Sequence, residues 1–279
     1  MLDDGGIDVF DIATRPDTHR ELVELAIEKG IPAIVQKALA PDLAQALAIH
    51  QAVAESGARV MVHENWRWQP WYRYIKQQIE AGAVGSSTTY LFEVRQADGL
   101  GPTPYPKQPY FSEMPRLLIF ETLVHHIDTA RFLYGDIESV FATASRRNPL
   151  IRGEDAAILV LRHQSGVTGV IDANRYINPE PPGPAMGDAT FEGEMGRLHV
   201  NATGAVSFGA DSIWRPEPET GYKGDSVYGT QQHFLQCLAT GAEFETGVGE
   251  YLKTFVAMEA AYQSVRDGTS VRPADLLPQ

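Results

Sequence analysis

Cysteine is nearly absent. Cys237 is the single one in 279 residues, so no intrachain disulfide and no multi-cysteine metal or redox motif can form, and a reducing, cytoplasmic setting is expected. Basic residues are also in deficit, with 23 Lys and Arg against 36 Asp and Glu for a net charge of -13. Nucleic-acid binding needs clustered Lys and Arg to displace counterions, and no such cluster is present, so no nucleic-acid partner is expected. No apolar run nears the roughly 18 residues of a membrane span. The acidic N-terminus also lacks the basic and apolar regions of a signal peptide, so no membrane partner is expected either. What is left is the balance of a globular protein, 43% hydrophobic and 21% charged, which fits neither disorder nor a fibrous repeat. The length allows one large domain or two.

Strand and helix alternate through the first sixty residues: IDVFDIA, the helix DTHRELVELAIEKG, PAIVQ, the helix PDLAQALAIHQAVAESG, then ARVMVH. Short continuous apolar runs are how strands covered on both faces read. Asp17 or Thr18 is the expected N-cap of the first helix and Pro41 opens the second, with Gly30 and Gly57 as their stops. The order βαβαβ predicts a parallel, doubly wound sheet over residues 1–63. After residue 63 the pattern becomes α+β, with a helix in WQPWYRYIKQQIEAG, a strand in SSTTYLFEVRQA, a loop over 99–115 holding five prolines, and the long helix RLLIFETLVHHIDTARFLYG. SVFATASRR, DAAILVLRH, VTGVIDANR, DATFEGE, GRLHVN and AVSFG read as strands of a mostly antiparallel sheet, and two helices close a second domain over 64–279.

Ligands in open parallel sheets bind beyond the carboxyl ends of the strands. That selects Thr14 to Asp17, where helix N-terminal amides could face an anion, and Gln36 with Lys37. A lysine ending an apolar strand could have a lowered pKa suited to proton transfer; an ordinary turn and a surface lysine are the plainer readings. In the long helix, Glu121, His125 and Asp128 share a face by their spacing of four and three. The helix is apolar nearly all round and therefore buried, so its titratable groups either work as acids and bases in a cavity or form a structural network. No metal is expected: His125 and His126 point about 100° apart and no further ligand is identified. Paired carboxylates in so acidic a chain are weak evidence for glycoside hydrolysis. Trp66, Trp68 and Trp71 could stack on a sugar or pack at a domain interface.

Taken together, DVFDIATRPDTHRELVELAIEKGIPAIVQKALA, ENWRWQPWYR, ETLVHHIDTARFLYG, GEDAAILVLRHQSGVTGVIDANR, FEGEMGRLHV and YLKTFVAMEAAYQSVRDG resemble, in this order, the Gfo/Idh/MocA oxidoreductases, the glucose-fructose oxidoreductase and inositol dehydrogenase family. The resemblance covers essentially the whole chain. It implies that residues 1–63 are the later part of a Rossmann dinucleotide-binding domain, lacking roughly its first 60 to 70 residues, and that 64–279 form the substrate and oligomerisation domain. Gly5 and Gly6 precede a strand and so are not the phosphate-cradling turn.

The implied activity is NAD- or NADP-dependent oxidation at a CH-OH group of a sugar or polyol, in a homodimer or homotetramer formed through the antiparallel sheet. By the same resemblance Thr14, Pro16, His19, Gln36 and Lys37 contact cofactor. Lys37, His125 and Glu121 are catalytic, and Trp66, Arg67 and Asp128 reach substrate. Gln36 stands where the family's Glu-Lys-Pro motif has Glu, and Ala38 where it has Pro. A cis peptide before a non-proline residue costs roughly 3 kcal/mol, so a trans bond is expected at Lys37-Ala38. Two other readings stay open: a non-catalytic member serving oligomerisation or ligand binding, and a lyase or glycosidase that uses NAD.

Overall fold

The computed structural model describes residues 6–217 and 225–278; Gly5 lies outside the described residues. The chain divides into two compact units. One is the chain up to Asn65 together with Val227–Val256, and the other is Trp66–Ser226 with the chain from Ala257 onward.

In the first unit, strands β1 (Phe10–Ile12), β2 (Ala33–Gln36) and β3 (Val60–His63) form a parallel sheet in the order β1-β2-β3. Helices α1 (Pro16–Lys29) and α2 (Leu43–Ser56) supply the crossovers. α1 starts earlier than expected, with Pro16 in its first turn and Arg15 as an N-cap that makes no side-chain bond. Proline is suited to that position because its missing N-H has no intrahelical partner there. α2 is capped by Asp42, whose carboxylate accepts the Gln45 N-H at 2.9 Å. Gly30 and Gly57 end the two helices at φ 66° and 67°, left-handed values that cost glycine nothing.

Residues 227–256 belong with this unit, which corrects the single 64–279 domain expected from the sequence. The strand pleat gives the reason. Ile34 and Met61 are register partners in β2 and β3 and face away from Val35 and Val62, so they need their own cover. Phe234 of α5 (Asp225–Thr240) provides it, with Val9, Leu238 and Phe244 packed around the same cluster. The outer side of β3 is closed as well: the Val62 N-H donates to the Thr246 carbonyl at 2.8 Å and the Thr246 hydroxyl to the Val62 carbonyl at 2.7 Å.

The second unit contains α3 (Pro70–Glu80), β4 (Ser87–Arg95), α4 (Val124–Tyr134), β5 (Ile137–Ser145), β6 (Ala156–His163), β7 (Thr168–Asn174), β8 (Gly187–Gly193), β9 (Gly196–Val200), β10 (Val206–Phe208) and β11 (Asp211–Trp214). Helix α6 (Val248–Asp267) continues into this unit from Ala257. The eight strands are ordered β11-β10-β9-β8-β4-β7-β6-β5. β4 and β7 run parallel, and every other neighbouring pair is antiparallel.

Register places Val140, Leu161, Gly169, Tyr90, Phe191 and Leu198 in one buried row across the sheet. The row beside it, on the other face, is Phe141, Val160, Val170 and Leu91. Gly169 has a specific reason to be glycine: a Cβ there would meet the Tyr90 ring at 1.9 Å. The Tyr90 hydroxyl donates to His163 Nε2 at 2.9 Å, and His163 Nδ1-H donates to the Gly135 carbonyl at 2.8 Å. That tautomer requires a neutral ring, and burial lowers the His163 pKa accordingly.

The long helix is not continuous. It opens as a π-helical segment, Leu118–Leu123, and becomes α-helical only at Val124. Side chains from elsewhere satisfy the opening amides. The Glu154 carboxylate accepts the N-H groups of Leu117 and Ile119, at 3.3 and 3.0 Å, and the Tyr262 hydroxyl accepts that of Phe120 at 3.1 Å. Such segments occur often at functional sites, and this one carries Glu121. A second correction concerns Lys37-Ala38, whose peptide bond is cis rather than trans. No helix among the described residues is long and apolar enough to cross a membrane.

Candidate active site

A cavity of about 520 Å³ in the second unit is walled by Glu121, Thr122, His125, Asp98, Tyr105 and Arg175, among others. Its charged core follows from the sheet. Because β4 and β7 are parallel, with Arg95 opposite Asn174, their carboxyl ends reach the same edge and the residues that follow each strand meet there. Arg175, after β7, makes a forked pair with Asp98, after β4: Nε to Oδ1 at 2.9 Å and Nη2 to Oδ2 at 2.7 Å. The third guanidinium nitrogen donates to the Thr122 hydroxyl at 2.7 Å, and that hydroxyl donates to Glu121 Oε2 at 2.8 Å.

Asp98, Arg175, Thr122 and Glu121 therefore form one chain of hydrogen bonds, with the Arg175 side chain only 3% exposed. A planar guanidinium suits this role because it donates in several fixed directions at once. Tyr105 and Phe111 lie beside it, their ring centroids 5.1 and 5.4 Å from the guanidinium carbon. Tyr105 sits at φ 54°, a conformation unusual for a non-glycine residue. Burial pushes its hydroxyl pKa up to about 12, with Arg175 opposing the shift.

The structure divides the Glu121, His125 and Asp128 face between two surroundings. Glu121 and His125 line the cavity. Asp128 does not; it is fully buried and receives Arg67 through two bonds, at 2.7 and 2.8 Å. Arg67 is likewise absent from the cavity wall, so this pair braces α4 from within. Trp66 is fully buried, its ring centroid 5.5 Å from that of His125 and 5.7 Å from that of His126. It packs against the histidines rather than presenting a face to the cavity. Trp71 is also fully buried, and Trp68 carries the Arg73 guanidinium at 3.5 Å.

In the first unit the remaining candidates gather at the carboxyl ends of β1 and β2. Thr14 is exposed and Pro16 partly so. His19 is fully buried, with its ring nitrogens 3.1 Å from the carbonyls of Leu39 and Thr14. It ties the two loops together and is not placed to touch a ligand. The Gln36 side chain folds back to accept the Lys37 N-H at 3.0 Å, and Lys37 itself is half-buried.

Residues 1–64 match the family model described as "Oxidoreductase family, NAD-binding Rossmann fold", and residues 72–199 match the GFO/IDH/MocA C-terminal domain. D-apiose dehydrogenase of Rhizobium rhizogenes is 35% identical over 97% of this chain and 81% of its own length. This chain belongs to the Gfo/Idh/MocA oxidoreductases. Scyllo-inositol 2-dehydrogenase (NAD(+)) of Bacillus subtilis is 28% identical over 98% of this chain and 79% of its own. The crystal structure of an Agrobacterium radiobacter oxidoreductase, solved with NAD+, L-tartaric acid and magnesium, superposes with a TM-score of 0.90. It is 31% identical and covers 99% of this chain and 83% of that one.

The donor groups of the first unit suit one half of a dinucleotide. The amides opening α1, Gln36 and Lys37 stand at the ends of adjacent parallel strands, where a dinucleotide finds donors, whereas the Thr14 hydroxyl is turned to Thr18 Oγ1 at 2.7 Å, whose own proton goes to the Arg15 carbonyl. The loops after β1 and β2 contain no glycine, so at these two strand ends an anion meets the α1 N-terminus and not a glycine-rich turn.

Arg175, Asp98, Thr122 and Tyr105 were not among the sequence candidates of this Gfo/Idh/MocA chain. Arg175 had a signal, since it closes the apolar strand VTGVIDANR as Lys37 closes PAIVQ. Asp98 and Tyr105 had none, because their value depends on which strands are neighbours.

His126 supplies a pH test. Burial, with a smaller contribution from His125, pushes its pKa down from 6.5 to about 3. Between those values only the unfolded chain takes up the proton, so stability is intact above pH 6.5 and falls as the pH drops toward 3. The slope for one such proton is about 1.4 kcal/mol per pH unit. Urea unfolding at intervals from pH 7 to 4 should give a shallower decline for His126→Leu than for the parent; identical slopes would contradict the assignment.

Proposed function

We propose that this chain is an NAD-dependent dehydrogenase that oxidises a secondary alcohol of a sugar or polyol. The observation that carries this reading is the cavity that brings His125 and Glu121 onto one wall beside the buried Arg175 network. His125 accepts the proton of the substrate hydroxyl. Glu121, fixed through Thr122, orients the imidazole and stabilises its charged form. Asp98 and the polar side chains around it hydrogen-bond the neighbouring hydroxyls, which sets the carbon that reacts. Lys37, with Gln36 at the end of β2 in the first unit, stands beside the nicotinamide when the cofactor is bound. The nicotinamide, when bound, supplies the hydride acceptor. D-apiose, the sugar named for the 35% identical relative, is the first substrate to try, with scyllo-inositol second.

With D-apiose and NAD as probes, His125→Ala should lower kcat by about 10²- to 10⁴-fold, the usual contribution of a general base. Lys37→Ala should also lower turnover, with circular dichroism unchanged for both. Parent-like turnover in a folded His125→Ala variant would remove the histidine from the mechanism, and the same result in Lys37→Ala would remove the lysine.

The row Phe141, Val160, Val170 and Leu91 supports a homodimer or homotetramer assembled through the sheet. Phe141 is 39% exposed and Ile158, in the next row of the same face, 49%, and apolar surface of this kind marks an interaction face. Light scattering should report a multiple of the 30.7 kDa chain mass, and Val160→Asp should lower it. A monomeric parent would refute this assembly.

A further inference from the structure

A second cavity, of about 460 Å³, is built from residues that take no part in the proposed reaction. Its wall holds four arginines, Arg116, Arg146, Arg152 and Arg266, against two glutamates, Glu154 and Glu259. In a chain of net charge -13, such a local excess of guanidinium groups runs against the overall balance.

Both glutamates are already committed. Glu259 pairs with Arg116 at 2.7 Å, and Glu154 accepts the Tyr262 hydroxyl at 2.6 Å besides the amides that open the π segment. Arg116 lies over the rings of Tyr262 and Phe120, at 4.2 and 5.0 Å. Arg146 donates from Nη1 to the Ile151 carbonyl at 3.1 Å. The side chains of Arg152 and Arg266 make no hydrogen bond, ion pair or ring contact among the described residues. These last three arginines come from separate elements, the loop after β5 and the last turn of α6, yet line one pocket. All three are exposed, so their guanidinium groups border one open depression within reach of an anion from solution.

We infer that this pocket is an anion site for a small phosphorylated molecule, held by Arg152 and Arg266 with help from Arg146. A phosphoryl dianion matches the chemistry because each guanidinium can donate two parallel bonds to its oxygens. The volume falls in the range of small-molecule sites and leaves room for an organic group beyond the phosphate.

The test is calorimetric titration of the full chain with glycerol 3-phosphate, inorganic phosphate and glycerol, at fixed ionic strength so that general screening is constant. Both phosphates should bind saturably and glycerol should not. Tighter binding of glycerol 3-phosphate would identify an organic phosphate as the ligand class, and equal binding would identify free phosphate. Arg152→Ala with Arg266→Ala should weaken binding at least tenfold. Arg162→Ala, a surface arginine paired with Glu138 outside the pocket, should leave it unchanged. Should the double variant fail the circular dichroism check, Arg152→Gln alone should still weaken binding at least threefold. No saturable phosphate binding by the parent, or parent-like affinity in the folded arginine variants, would overturn the site.

Discussion

The fork between Arg175 and Asp98 is the constraint on which the cavity of the second unit rests. A charged side chain 3% exposed is tolerable only if its donors are taken up, since an unpaired buried charge is far more costly than a paired one. Two donors go to Asp98 and one to Thr122. That requirement fixes the loop after β4, the end of β7 and the π segment relative to one another. It depends in turn on β4 and β7 being the parallel pair in an otherwise antiparallel sheet, because an antiparallel pairing would send the two strand ends to opposite edges.

A second layer holds the π segment from its other side. Glu154 and Tyr262 accept the amides of Leu117, Ile119 and Phe120, and Tyr262 donates to Glu154 in the same cluster. Burial and the adjoining carboxylate raise the Tyr262 pKa well above its ordinary value, so the phenol stays protonated and keeps donating. Glu121 is thus carried by a segment tied at its start by Glu154 and reached from the cavity by Arg175 through the Thr122 hydroxyl. The proposed acid-base pair inherits its geometry from these contacts and not from the helix alone, and the Arg67 to Asp128 pair braces the next turns.

Much of this was legible beforehand. Apolar runs bounded by Gly30 and Gly57 gave the parallel strands, alternation in DAAILVLRH and VTGVIDANR gave the hairpin of β6 and β7, and the spacing of Glu121 and His125 gave one wall of the cavity. Other features were hidden for physical reasons. The π segment leaves no mark in apolar periodicity, because residues 117–120 are buried whichever way the chain winds. β11 is short and exposed along its first three residues, so it lacks the apolar signal of a strand. The return of residues 227–256 to the first unit depends on the bare Ile34 and Met61 face, and the Arg175 site depends on strand order. Both are long-range facts that no local pattern encodes.

The most direct test of that dependence is a double-mutant cycle on stability, with Asp98→Asn, Arg175→Met and their combination unfolded in urea. Asp98→Asn should be clearly destabilising where Arg175 is present, since it weakens the counter-charge to a buried guanidinium. It should cost much less in the Arg175→Met background, giving a coupling on the order of 1–3 kcal/mol. Equal costs in the two backgrounds would show that the pair does not constrain the cavity.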